Sequence, residues 1–376
     1  MKEKNEIEEK IKIAQIIGKW VGGGVEAVVM NYYRNIDHSK IQFDFFCDED
    51  STNIPYKEIE KYGGKVILIP PYQKVFKYQK VLRKELKKTN YKIVHSHINT
   101  LSIFPLYAAK KVGIPIRIAH SHSTTNKKEW KKNIIKQLLR PFSKIYATDY
   151  MACSEHAGRW LFGNKAYNKG KVYILNNAID VDKFKYDENI RNKKRNELGI
   201  VNEDTLVIGH VGRFVAQKNH EFLIDLFSKI NKQNNNSILI LVGQGPLKEK
   251  IKEKVYTLGL KDSVKFLGQI DDTNEIYQAF DVLVLPSLYE GLGMVTIEAQ
   301  CAGCPCICSK NVPNITKISD IIEYIELNKN IDSWINKIYK YANKKRKSYE
   351  EETSNNGYSI YTEVKKLEEK YKSYYQ

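Results

Sequence analysis

One pattern limits what this chain can become: short apolar runs alternate with helical stretches, and halfway along the pattern starts again. In the first half the apolar runs fall at residues 11–17, 66–69, 93–94, 116–119, 150–153 and 172–175, with a helical composition at 25–33. In the second half strands are expected at 206–209, 238–242, 264–267 and 282–285, and helices at 221–230, 247–257 and 295–302. Apolar strands alternating with helices predict parallel sheets covered on both faces. The restart predicts two doubly wound domains in series. A length of 376 residues suits that number at roughly 100–200 residues per domain. The boundary is expected near 176–185, where a polar run follows the last strand of the first half. Close to the C-terminus, Ile360, Val364, Leu367, Tyr371 and Tyr374 form one helical apolar stripe, which must pack on something.

Composition excludes some functions. No stretch approaches the roughly 18 consecutive apolar residues of a membrane span. The first twelve residues are charged and lack the apolar centre of a secretion signal, so a cytoplasmic location is expected. The formal charge of +17 favours anionic partners such as phosphorylated donors or anionic lipid. No zinc finger, RRM motif or basic region followed by heptads is present and the lysines are spread throughout, which argues against nucleic acid. Cys301, Cys304, Cys306 and Cys308 lack a second pair at zinc-finger distance and read as small apolar fillers. Residues 127–140 are basic and amphipathic, with Trp130, Ile134, Ile135 and Leu138 at helical spacing. Such a segment can lie in a lipid interface with its lysines toward anionic headgroups.

The most informative motif spans Tyr289 to Ala299, directly after the run at 282–285. Glu290 and Glu298 flank Gly291, Gly293 and a helix beginning near Val295. Glycines let a ligand approach the backbone, and a helix N-terminus suits phosphate oxygens. Carboxylates accept hydrogen bonds from sugar hydroxyls. The combination fits a ligand that is part phosphate and part polyol. A second segment, Gly212-Arg213 with Lys218 and Asn219 following, places two cations in the loop after a strand, where open α/β sheets bind ligands. Gly243-Gln244-Gly245-Pro246 and the turn at Gly268 are further candidates. Gly22-Gly23-Gly24 follows the first strand but is not Gly-x-Gly-x-x-Gly, so a dinucleotide site is unsupported. Two histidine pairs, His95/His97 and His120/His122, end apolar runs; as a metal site they lack an evident further ligand and supporting shell.

Glu290 to Glu298, with Ala299 to Pro305 after it and the Gly-Arg-x4-Lys segment before it, resembles retaining glycosyltransferases of GT-B fold and family 4 type (glycosyl transferases group 1). The overall style is similar to bacterial capsular and exopolysaccharide enzymes. The resemblance implies two Rossmann-like domains facing a cleft that closes on the donor. Residues 1–177 would bind the acceptor and 178–355 the donor, and residues 356–376 would form a helix packing back on the first domain. It implies Glu290 at the donor sugar, Glu298 at the ribose, and Arg213 and Lys218 at the diphosphate. Gly243, Gly268, Gly291, Gly293, Met294 and Val295 would complete the donor pocket, with Gly23 and Gly24 beside the phosphates. His120 or His122 would hydrogen-bond the transferring sugar, making these two and Glu290 the catalytic candidates, while His95 and His97 would line or buttress the site. It further implies a UDP-sugar donor, no metal or other cofactor, front-face transfer with retention, and a glycan acceptor linked to polyprenol at the inner membrane face. A nucleotide-sugar epimerase and a non-catalytic sugar-nucleotide-binding scaffold are the alternatives.

Overall fold

The computed structural model describes residues 10–122, 139–270 and 272–375. Residues 127–138 of the basic amphipathic segment lie outside them. Two compact units result: Met1–Ala178 with Ile360–Gln376, and Ile179–Ser359.

The first unit holds a seven-stranded, all-parallel sheet in the order β3-β2-β1-β4-β5-β6-β7. Its strands are β1 (Ile11–Gly18), β2 (Ile41–Asp48), β3 (Val66–Ile69), β4 (Ile93–Ser96), β5 (Ile116–Ser121), β6 (Asp149–Ala152) and β7 (Val172–Ile174). The second unit holds a six-stranded parallel sheet in the order β10-β9-β8-β11-β12-β13. These strands are β8 (Leu206–Val211), β9 (Ser237–Val242), β10 (Val264–Gly268), β11 (Val282–Leu285), β12 (Cys306–Ser309) and β13 (Ile322–Ile325). In both sheets the order reverses beside the first strand, between β1 and β4 and between β8 and β11. Crevices at the carboxyl ends of strands at such a reversal are where doubly wound folds bind ligands.

Three strands escape a reading by apolar runs. β2 interleaves Gln42 and Asp44 with aromatics, yet every one of its residues is buried. The polar pair is tolerated because it is bonded: Asp44 accepts from the Tyr91 hydroxyl (2.7 Å) and Gln42 donates to the Tyr33 hydroxyl (2.7 Å). β12 is carried by Cys306 and Cys308, and β13 is four residues long with Glu323 inside it. All six cysteines are free and buried. Burial pushes the Cys304 thiol up to about 11 and the Cys301 thiol up to about 12, away from reactive thiolate.

Helix α1 (Gly24–Asn35) covers one face of the first sheet through Val28, Val29 and Tyr32. Helix α2 (Met294–Cys301) follows β11 in the second unit. The final helix, α3 (Ile360–Lys372), buries Ile360, Val364, Leu367 and Tyr371 in the core of the first unit. It packs beside α1. Polar ties fix it as well. Glu363 accepts from the Asn176 backbone (3.2 Å), Glu368 from the Asp37 backbone (2.7 Å), and the Tyr374 hydroxyl donates to Asp149 (2.9 Å). No helix among the described residues is long and apolar enough to cross a membrane.

Candidate functional site

In the second unit the loops leaving β8, β9, β10 and β11 are stitched together by their backbones. Gly212 N–H bonds Val242 (2.9 Å), Gly243 N–H bonds Gly268 (2.6 Å), and Phe214 N–H bonds Gln244 (3.0 Å). This closeness explains one glycine directly. Gly243 has φ +138°, and a Cβ there would stand 2.2 Å from the Gly212 carbonyl oxygen. Gly268 also has positive φ (+75°).

The Glu290 carboxylate sits at the centre of this region. Lys218 Nζ donates to Oε1 at 2.7 Å, Ser287 Oγ to the same oxygen at 2.6 Å, and Gln217 Nε2 to Oε2 at 3.3 Å. The ion pair is largely enclosed, with side chains 13% and 7% exposed. Sequence reasoning assigned Lys218 and Glu290 to different parts of a donor; the structure instead pairs them with each other. Gln217 also donates to the Tyr289 carbonyl (3.1 Å), so the β8 loop grips the β11 loop on both sides of the carboxylate. Arg213 is exposed and makes no side-chain hydrogen bond among the described residues. It is a cation available to an anion.

Glu298 lies on α2 and is half-buried. The Tyr277 hydroxyl donates to its Oε2 at 2.6 Å. Burial pushes the Glu298 carboxyl above its ordinary range, against the hydrogen bond from Tyr277 and the charge of Lys218. Gly293 caps α2 in a left-handed conformation (φ +86°). The first amides of α2, at Met294 and Val295, lack helical partners and point out of its N-terminus. Gly291 is exposed just before them. The second-unit residues read from the sequence therefore converge on the loops after β8–β11. Tyr277, Ser287 and Gln217 were not anticipated. Only Gln217, inside the Gly-Arg-x4-Lys segment, carried any local signal.

In the first unit, the loop after β1 leads into α1. The residue there that needs glycine for its backbone is Gly22 (φ +74°), whereas Gly23 caps α1 with ordinary angles. A Cβ on Gly24 would meet nothing within 4 Å. Glu26 is structural: its carboxylate accepts from the Val21 backbone (3.0 Å) and ties the loop down. His95 and His120 stand on β4 and β5, and His97 and His122 follow the ends of those strands. All four rings are buried and form one cluster, with His120 and His122 centroids 3.9 Å apart. Burial pushes His95 and His122 down to about 3 and holds His97 and His120 well below the ordinary value, so the rings are neutral at pH 7. His95, His97 and His120 offer nitrogens within 4.8 Å of one another. Both nitrogens of His95 and of His97 are already hydrogen-bonded, so a metal there would displace those bonds.

Two reversed parallel sheets in one chain, the second carrying an acid–cation cluster and a glycine-capped helix at its reversal, define a doubly wound α/β protein of two Rossmann-like units. The comparisons with known proteins give the family. The family model described as "Glycosyl transferases group 1" matches residues 190–359, and that described as "Glycosyltransferase Family 4" matches residues 22–183. EpsF of Bacillus subtilis strain 168, classed with the glycosyltransferases, is 35% identical over 306 residues, covering 80% of this chain and 79% of its own. UDP-Gal:alpha-D-GlcNAc-diphosphoundecaprenol alpha-1,3-galactosyltransferase of Escherichia coli is 26% identical, covering 96% of this chain and 97% of its own. The fold matches that of Anabaena HepE, solved in complex with UDP and glucose, with TM-score 0.77 at 18% identity over 96% of this chain and 100% of that one. The chain belongs to the group 1 glycosyltransferases of family 4 type, with the GT-B fold, and is a glycosyltransferase. Membership selects transfer over the epimerase and scaffold alternatives.

Proposed function

We propose that this enzyme moves a sugar, with retention of configuration, from a UDP-sugar to a lipid-linked glycan during capsule or exopolysaccharide assembly. The observation that carries the reading is the cluster after β8 and β11, where Lys218, Glu290 and the N-terminus of α2 share one reversal point. The names of the relatives supply the substrate classes: a UDP-galactose donor and a diphosphoundecaprenol acceptor for the E. coli enzyme, and UDP with glucose in HepE.

In this reading the second unit binds the donor and the first the acceptor. Glu298 takes the ribose hydroxyls, held in place by Tyr277. Arg213, Lys218 and the first amides of α2 take the diphosphate, with Gly243, Gly268, Gly291 and Gly293 keeping side chains out of its way. Glu290 meets the sugar hydroxyls and is aimed by Ser287 and Gln217. Gly23 and Gly24 border the phosphates from the first unit, and His120 or His122 bonds the transferring sugar. The anomeric carbon–oxygen bond breaks with its electron pair leaving on the β-phosphate. Fixed cations stabilise that growing charge. The acceptor hydroxyl oxygen bonds the same carbon on the same face, and its proton passes to the departing phosphate oxygen. The enzyme needs no metal or other cofactor in this scheme, because Arg213, Lys218 and helix amides carry the charge. Residues 127–140 place it peripherally at the cytoplasmic face of the membrane.

A thermal-shift screen with UDP-, GDP- and ADP-sugars tests the donor site. A ligand that binds only the native state raises the midpoint by mass action. UDP-sugars are expected to stabilise the wild type and not Glu298→Ala. No shift with any of them at millimolar concentration would sink the donor-site reading.

A further inference from the structure

Two hydrogen-bonded chains run through the histidine cluster of the first unit. One joins the Tyr371 hydroxyl to His95 Nδ1 (2.7 Å) and His95 Nε2 to His120 Nδ1 (3.0 Å). The other joins Gln15 Oε1 to His97 Nε2 (2.7 Å) and His97 Nδ1 to His122 Nε2 (2.9 Å). Gln15 Nε2 also donates to the Tyr371 hydroxyl (3.3 Å), so a single amide anchors both chains. At the far ends, His120 Nε2 and His122 Nδ1 are buried and have no partner among the described residues.

Each ring is neutral and so carries one hydrogen. Gln15 Oε1 only accepts, so His97 donates from Nε2 and accepts at Nδ1. His122 therefore donates from Nε2 and keeps a bare lone pair on Nδ1. Gln15 Nε2 only donates, so the Tyr371 oxygen accepts from it. The Tyr371 hydrogen then goes to His95 Nδ1, because a buried hydroxyl hydrogen without an acceptor is strongly disfavoured. His95 passes its own hydrogen from Nε2 to His120 Nδ1, and His120 keeps its hydrogen on Nε2. All four rings share the Nε2–H tautomer. Turning the Gln15 amide over converts all four to Nδ1–H together. In either state one open nitrogen donates and the other accepts.

We infer that Gln15 and Tyr371 are positioning residues that lock the four histidines into one shared tautomer, so that His120 and His122 present one donor and one acceptor to a single hydroxyl group. This deepens, and rests on, the reading that His120 or His122 meets the donor sugar. A hydroxyl suits the pair because its oxygen accepts while its hydrogen donates. A phosphate oxygen would satisfy only the donor. The histidines, Gln15 and Tyr371 share a cavity of about 10 Å³ with Val28, Val29, Phe43, Leu175 and Leu367, so its wall is mostly apolar and it is too small for a sugar ring. Tyr371 belongs to the final helix, 276 residues beyond His95.

The test is ¹⁵N-imidazole NMR of the full-length protein, which reads the tautomer of each histidine. Wild type is expected to show His95, His97, His120 and His122 in one common tautomer. In Tyr371→Phe, His95 and His120 should move together to a mixture while His97 and His122 keep theirs. UDP release from UDP-glucose, UDP-galactose and UDP-N-acetylglucosamine gives the kinetic arm. Tyr371→Phe should lower kcat about tenfold, the scale of one buried hydrogen bond, with KM little changed. Ile360→Val, which trims packing of the same helix away from the histidine cavity, should keep the wild-type tautomers and kcat at 25 °C. Unlike tautomers in wild type, an unchanged His120 in Tyr371→Phe, or equal kcat losses in Tyr371→Phe and Ile360→Val would each overturn the proposal. Full activity in both His120→Ala and His122→Ala would end the sugar-contact reading and the positioning role with it. The spectra would still decide independently whether the shared tautomer exists.

Discussion

At the scale of single residues, the protein keeps charge balanced where the donor is proposed to bind and keeps histidines neutral where the sugar is. Lys218 and Glu290 neutralise each other at 2.7 Å before any ligand arrives. Deleting one partner of such an enclosed pair is worse than deleting both, and because the Lys218 ammonium has three hydrogens, the proposed diphosphate can share it with Glu290. The histidines give a different, pH-dependent consequence. His95 and His122 are held at about 3 against an ordinary 6.5, by burial. Between those values the unfolded chain binds protons that the folded unit refuses. Their contribution is intact above about pH 6.5 and is lost as pH falls toward 3, by about 1.4 kcal/mol per pH unit for each histidine. The urea midpoint of the wild type should therefore drop between pH 7.5 and 5.5, and His122→Asn should flatten that drop. Equal midpoints at the two pH values in the wild type would refute a neutral buried cluster.

At the scale of elements, the loops after β8, β9 and β10 behave as one piece because their backbones bond each other. Gly243 is where that piece is tightest. Gly243→Ala must adopt φ +138° and push its Cβ against the Gly212 carbonyl. Backbone strain of this kind costs about 1–3 kcal/mol. The variant should unfold at lower urea and lose the UDP-sugar thermal shift, since Gly212 packs against Lys218. An unaltered midpoint would show that the three loops move apart freely. The same elements explain what a sequence reveals. Glu290, Glu298, Arg213 and Lys218 were legible because each sits in a short local motif. Their partners were not: Tyr277 reaches Glu298 from a different helix, Gln217 reaches Glu290 only because β8 and β11 are neighbours, and Ser287, three residues before Glu290, lies just outside the motif. Strands with uniform apolar runs were legible, but β2 was hidden by Gln42 and Asp44, whose burial depends on distant Tyr33 and Tyr91. The stripe on α3 was legible as a helix needing a partner. That Tyr371 would bond a histidine was not, because tertiary packing and not periodicity sets it.

At the scale of the whole molecule, a net charge of +17 favours attachment to an anionic lipid surface, which would bring the enzyme to the lipid-linked acceptor proposed for it. Each lysine or arginine near an anionic leaflet contributes about 1 kcal/mol, and the attraction fades beyond a Debye length of about 10 Å at 0.1 M salt. The protein is expected to sediment with phosphatidylglycerol vesicles at low salt and not with phosphatidylcholine vesicles, and to detach substantially at 0.5 M salt. Apolar insertion adds a part that salt does not remove. Two segments can supply it, and they differ in sequence. One is the segment 127–140 with Trp130. The other is the helix Val75–Lys88, where Phe76 is 92% exposed among Lys74, Lys77 and Lys80. If 127–140 is the anchor, Trp130→Ser abolishes the salt-resistant fraction and Phe76→Ser spares it. The reverse result moves the membrane face to Val75–Lys88. Sedimentation that ignores lipid charge would remove the electrostatic argument altogether, and with it the reason for reading the excess lysines as a membrane-facing feature.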